Sequence, residues 1–152
     1  MEKKDKEIVV AVSGYFNPVH IGHTRLFKEA KKLGTKLVVI VNNDEQVKLK
    51  GSVPFMNEKE RMEIISAFAP VDKVVLAIDK DRSVCETLKL IKPDVFANGG
   101  DRLVDNIPEV AACREINCKM VFNVGDGGKV QSSSWLLKNA LKSIYENEKK
   151  QS

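Results

Sequence analysis

Residues 8–27 read IVVAVSGYFNPVHIGHTRLF. The first five are apolar and mostly β-branched, and Ser13-Gly14 closes them off, the mark of a short buried strand ending in a turn. Beyond the turn, Leu26, Phe27, Ala30 and Leu33 recur at helical spacing, and Gly34 stops the run. Strand, glycine-bearing turn and helix in that order open a parallel α/β unit. Both histidines of the chain, His20 and His23, fall where the helix begins. Residues three apart on a helix share a face, and Gly22 between them bares the backbone. A helix N-terminus carries partial positive charge and free N–H groups, so two imidazoles aimed at it can hold phosphate oxygens. A lone H-x-x-H pair would read as capping or surface histidines. The strand before it and the helix after it favour the phosphate site.

The alternation continues to the other end of the chain. KLVVIVNN (36–43) is a second buried strand, and DEQVKLKGSVPFM (44–56) reads as a loop. Asn57 and Glu60 form an N-x-x-E cap opening a helix through Phe68. DKVVLAI (72–78) is a third strand, and Ser83 with Glu86 predicts a second capping box for a helix to about Ile91. PDVFANGG (93–100) runs a fourth strand into glycines, Pro108 starts a helix through about Asn117, and KMVFNV (119–124) is a fifth strand. A last helix follows QSSS (131–134) and extends to about Glu146. The strands are continuous apolar runs rather than alternating ones. The expected fold is therefore α/β: a Rossmann-like, doubly wound, five-stranded parallel sheet with helices on both faces. In such sheets ligands bind beyond the C-terminal ends of the strands, at the switch point. The unusual segments SGYFNPVHIGH, NNDEQVKLKG, NGGDR and GDGGKVQSSS all follow strands.

Composition narrows the function classes. The 152 residues suit one domain, 1–152, with 1–6 and 147–152 as frayed tails. Hydrophobic content of 43% and charged content of 30% fit a globular chain, and no apolar run approaches a membrane span. The charged start MEKKDKE is no secretory signal. Cys85, Cys113 and Cys118 make no C-x-x-C pair, which suggests free thiols in a reducing cytoplasm. The net charge is +4, but no basic block interleaves with aromatics, so nucleic acid is not an expected partner. A small anionic ligand is.

GYFNPVHIGH resembles the H-x-G-H signature of the cytidylyltransferase-like nucleotidyltransferases, the family of glycerol-3-phosphate and choline-phosphate cytidylyltransferases, heptose-phosphate adenylyltransferases and archaeal FAD synthetases. KGSVPFMNEKERMEII, VDKVV, PDVFANGGD and QSSSWLL continue the resemblance in order. It implies a reaction: an acceptor phosphate attacks the α-phosphorus of a nucleoside triphosphate and pyrophosphate leaves. It also implies roles. His20, His23 and Lys50 would stabilise the phosphates in the transition state, with Lys48 assisting. Arg61, from the E-R pair, would hold the β- and γ-phosphates, and Ser132, Ser133 and Ser134 would offer hydroxyls and N–H groups. Gly14, Tyr15, Phe16, Asn17 and Gly22 would line the floor, while Gly99, Asp101 and Arg102 would lie near the base or acceptor. Magnesium would arrive with the triphosphate, with no protein metal ligands, and the protein would be a homodimer.

The chain departs from the family in two places. Relatives that carry F-D have Phe16-Asn17 as counterpart here, and Lys129 is the sole cation of GDGGKVQ. NGGD is closer to heptose-phosphate adenylyltransferases and MNEKER to choline-phosphate enzymes. The resemblance slightly favours CTP over ATP, with a phospho-alcohol or phospho-sugar acceptor. The alternatives are an adenylyltransferase of the heptose-phosphate or FMN type, and a non-catalytic nucleotide-binding regulator. The letters H-I-G-H also suggest a class I aminoacyl-tRNA synthetase, but the chain leaves no room for a tRNA-binding domain and has no K-M-S-K-S-like pentapeptide. The segment from Asp44 to Met56, with Lys48, Lys50 and Gly51, reads as a mobile lid.

Overall fold

The computed structural model describes residues 6–99, 107–125 and 132–151. Along them run β1 (Val9–Gly14), α1 (Ile21–Lys31), β2 (Lys36–Val41), α2 (Asp44–Leu49), α3 (Glu58–Ser66), β3 (Lys73–Leu76), α4 (Cys85–Ile91), β4 (Val95–Ala97), α5 (Glu109–Glu115), β5 (Lys119–Val121) and α6 (Ser133–Gln151). The five strands form one sheet in the order β3-β2-β1-β4-β5, and every pairing is parallel. The chain thus winds outward from β1 in one direction and then in the other. The switch point lies between β1 and β4, as the expected doubly wound fold requires.

Two cores explain the continuous apolar strands. On one face Val10, Val12, Val39, Val41, Val95 and Ala97 pack under Phe27 and Ala30 of α1 and Ile65 of α3. On the other, Ala11, Ile40 and Phe96 pack under Leu88 of α4 and Cys113 of α5. Successive residues of a strand point to opposite faces, and here both faces are covered, so neither parity can be polar. Asp72 fastens the edge of the first core. It accepts a bond from Leu37 N at 2.8 Å and pairs with Lys31 at the end of α1. That lysine's hydrogen bond, with the Leu37 N–H, holds the Asp72 carboxyl below its ordinary range.

Three local expectations change. Residues 44–56 are not all loop, since α2 occupies Asp44–Leu49. Ser83 and Glu86 do not form a reciprocal cap. Asp79, seven residues upstream, takes the N–H groups of Glu86 at 2.7 Å and Thr87 at 3.1 Å, while the Ser83 hydroxyl donates to Asp81 Oδ1 at 2.6 Å and accepts only a long bond from Cys85 N at 3.3 Å. Helix α6 runs to Gln151, past Glu146, and none of its described residues is buried.

Candidate active site

The β1–α1 connection begins at Gly14, where a Cβ would stand 2.8 Å from Cζ of Phe16. Any side chain there would collide with the Phe16 ring, which turns back under the loop with a left-handed φ of 50°. Phe16 is buried and meets His23 edge-on, with ring centroids 4.7 Å apart. It is thus the apolar support beneath the second histidine, and the expected floor residue is part of the core.

His20 and His23 make a reciprocal cap on α1. Nδ1 of His20 accepts from Gly22 N at 3.1 Å, and Nδ1 of His23 accepts from His20 N at 3.1 Å. The rings stack with centroids 3.8 Å apart. Because each Nδ1 accepts a backbone N–H, each ring hydrogen sits on Nε2. Capping and phosphate binding are therefore compatible: one nitrogen holds the helix, and the other carries the ring hydrogen. Burial, then His20, then Lys50 push the His23 pKa down from 6.5 to about 3. His23 is a neutral donor at physiological pH, and Lys50 is among the charges whose field reaches it.

Lys50 reaches that position through the end of α2. The α2 terminus is a Schellman motif: Gly51 N bonds to Lys48 O at 2.9 Å and Ser52 N to Val47 O at 3.1 Å. Gly51 supplies the left-handed φ of 87° the motif needs. The K-G pair is thus a helix stop that fixes where Lys50 emerges. The Lys50 ammonium stands 4.4 Å from the centroid of the Tyr15 ring, a cation–π contact. Lys48 instead pairs with Glu45 at 3.2 Å on exposed surface.

The expected mobile lid is tied down at both halves. Gln46 is fully buried and donates to Asp81 O and Ser83 O, each at 2.8 Å. With Asn43 it forms a capping box, Gln46 N to Asn43 Oδ1 and Asn43 N to Gln46 Oε1, both at 2.9 Å. Asn17 grips the second half: its Nδ2 donates to Val53 O at 2.8 Å, and its Oδ1 accepts from Phe55 N at 2.6 Å. An aspartate could accept but not donate there, so the asparagine at the family's F-D position has a reason in this chain.

Arg61 is placed differently from the sequence expectation. Its side chain is buried, donating to Met56 O at 3.1 Å, Tyr15 O at 2.6 Å, Asn42 O at 2.7 Å and Asp44 Oδ1 at 2.7 Å. Four of its five N–H groups are so engaged. In this arrangement the guanidinium rivets the two site loops together rather than facing a triphosphate. Its sequence pattern, E-R at a helix start, gives no sign of this because all its partners but Met56 are distant in sequence.

The start of α6 closes the group. The Ser133 hydroxyl donates to Pro18 O at 2.6 Å, joining the last helix to the histidine loop. Ser132 is buried, its carbonyl accepting from Leu136 N at 3.0 Å, and Ser134 is exposed. Gly99 lies at the end of β4, where a Cβ would come within 3.2 Å of Val124 O. Asp101, Arg102 and Lys129 lie outside the described residues. The structure thus gathers His20, Gly22, His23, Tyr15, Lys50 and Ser133 around one loop, with Gly14, Phe16, Asn17 and Arg61 as supports. The Asn43–Gln46 tie was missed, although N-x-x-Q is a legible cap pattern. Among the described residues, no group of three or more His, Cys, Asp or Glu could hold a metal ion, and no helix is long and apolar enough to cross a membrane.

A family model described as cytidylyltransferase-like matches residues 11–142. An FAD synthase from Thermoplasma acidophilum is 31% identical over 139 residues, covering 90% of this chain and 96% of the relative. An FAD synthase from Methanothermus fervidus is 38% identical over 114 residues, covering 72% of this chain and 77% of the relative. The bifunctional protein HldE of Koribacter versatilis is 37% identical over 107 residues, 69% of this chain but only 22% of the relative. A solved structure, the lipopolysaccharide core biosynthesis protein from Thermoplasma volcanium, superposes with a TM-score of 0.68 at 31% identity, covering 80% of this chain and all of that one.

Proposed function

The chain belongs to the cytidylyltransferase-like family and is a nucleotidyltransferase, and from that premise we propose that it adenylylates FMN, joining ATP and FMN into FAD with release of pyrophosphate. The observation that carries this reading is the end-to-end match to FAD synthases, which spans nearly the whole of both chains. The slight preference for CTP drawn from the sequence has no support among these relatives. The HldE match favours a second reading, transfer of AMP to a heptose phosphate, and it extends over a small part of that relative.

An oxygen of the FMN phosphate attacks the α-phosphorus of ATP in line with the bond to the β-phosphate, which breaks. With a second phosphate pKa of about 6, the attacking oxygen is already anionic at neutral pH, so no protein base has to take a proton. The chain's own task is positioning and charge stabilisation. His20 and His23 carry their ring hydrogens on Nε2, where they would meet phosphate oxygens, because their Nδ1 atoms are committed to the backbone. Lys50, over the Tyr15 ring, adds a positive charge whose field reaches His23. The N-terminal end of α6, held at Pro18 by Ser133, brings its partial charge to the same loop. These nitrogen donors suit phosphate oxygens rather than a divalent cation, so magnesium would ride on the triphosphate and water. When bound there, it neutralises the charge of the leaving pyrophosphate.

The test is pyrophosphate release from ATP or CTP against FMN, a heptose phosphate and glycerol 3-phosphate, with the product identified by mass. FAD from ATP and FMN is the expected result. Turnover confined to a heptose phosphate or to CTP would overturn the proposal.

A further inference from the structure

The segment after α2 carries large apolar side chains that neither core takes up. Leu49 is 54% exposed, Val53 75% and Phe55 63%. Single apolar residues on a surface need no explanation, but a cluster on one short segment beside a binding site does. The backbone carrying this cluster is not loose. Asn17 holds Val53 O and Phe55 N, Arg61 holds Met56 O, and the Schellman motif fixes Gly51 and Ser52. The same two anchors tie the segment to the histidine loop: Asn17 belongs to that loop, and Arg61 of α3 also donates to its Tyr15 O. The apolar cluster is therefore registered against the floor of the phosphate site and begins one residue from Lys50.

We propose that Phe55, with Val53 and Leu49, is the shelf on which the acceptor's flat ring system lies while its phosphate sits at Lys50 and the histidines. This rests on the reading of FMN as acceptor and adds the place where its ring is recognised. A phospho-sugar or phospho-alcohol is polar along its whole length and has nothing to cover such a shelf. FMN couples a phosphate, through a flexible polyol, to a large planar ring, and so offers an anion at one end and an apolar face at the other. Aromatic faces prefer offset or edge-on contact with such rings, and a backbone already ordered avoids the entropic cost of arranging the contact on binding. Because Phe55 is exposed, its replacement leaves both cores intact.

The experiment compares wild type with Phe55→Ala, Phe55→Trp and Val53→Asn, each checked for native circular dichroism, in FAD formation at varied FMN and varied ATP. Phe55→Ala should raise KM for FMN about tenfold, a loss of one aromatic contact, with KM for ATP unchanged. Phe55→Trp should keep the wild-type value, and Val53→Asn should give a smaller rise. If wild type makes FAD and Phe55→Ala has an unchanged KM for FMN, the shelf is wrong and the activity stands. An equal rise in KM for ATP and FMN also overturns it, since the residue would then act on the phosphate site as a whole. If wild type uses another acceptor and not FMN, the proposed activity fails and the shelf with it.

Discussion

His23 shows how one side chain can cap a helix and, on the proposed reading, serve the ligand as well. Its Nδ1 is fixed by the His20 backbone, and its ring is stacked on His20 and propped by Phe16. The burial that makes it a rigid donor also keeps it neutral, with a pKa of about 3 against 6.5 for the free side chain. Between those values the unfolded chain takes up a proton that the folded chain refuses. The stability due to the neutral ring is complete above pH 6.5 and falls as the pH drops toward 3. At one unit below 6.5 the loss is about 1.4 kcal/mol. His23→Ala should therefore do two separable things. Urea midpoints measured between about pH 4.5 and 7.5, a window that spans the unfolded value and stays above the folded one, should depend less on pH than those of wild type. In the transfer reaction kcat should drop by about 10²–10³, as for loss of a transition-state donor. A variant that keeps the wild-type pH dependence would show that the ring titrates freely in the folded protein.

Helix α2 is the element that decides how Lys50 is presented. Gln46, fully buried, holds it to the β3–α4 connection through Asp81 O and Ser83 O. Removing that amide leaves the buried Ser83 carbonyl and the part-buried Asp81 carbonyl without this donor, the buried one costing about 1–3 kcal/mol. Gln46→Ala should thus lower stability by about 2–4 kcal/mol, read from the denaturation midpoint, and should raise proteolytic cleavage at Lys48 and Lys50. Unchanged cleavage would mean that Gln46 does not hold the helix. The sequence made the long elements legible because their apolar residues obey one period throughout, as in Val9–Gly14 and Ile21–Lys31. It also made the histidine site legible, since its parts are local: two histidines and a glycine on one turn. It failed where partners are remote. Arg61 finds Tyr15 and Asn42, Asn17 finds Val53 and Phe55, and Asp79 rather than Ser83 caps α4. No window on the sequence contains both ends of such bonds. The short helix α2 was hidden for another reason: with six residues, and Lys48, Leu49 and Lys50 exposed, it shows no apolar stripe.

At the scale of the whole molecule, the site is the seam between parts of the sheet that wind in opposite directions. A ligand bridging the histidine loop, α2 and α6 holds these parts together and should stabilise the entire fold. Saturating to 100 times Kd adds about 2.7 kcal/mol, which for a chain of this size raises Tm by about 5–10 °C. A non-hydrolysable ATP analogue with magnesium should give that rise in a thermal scan at the corresponding concentration. No shift with a ligand shown to bind would mean that it binds the unfolded chain as well as the folded one, and so does not depend on the assembled seam.

The Ser133–Pro18 bond has a consequence for how the protein is made. Its two partners are 115 residues apart. Chains are synthesised from the N-terminus, and early segments can order first. The histidine loop and Lys50 belong to the first third of the chain, so their strands can pair while later ones are still being added. The hydroxyl that ties the loop to α6 arrives near the end. A nascent chain can thus hold an ordered first half and still lack the finished nucleotide site, so the onset of catalysis during translation would report arrival of the last helix rather than formation of the sheet.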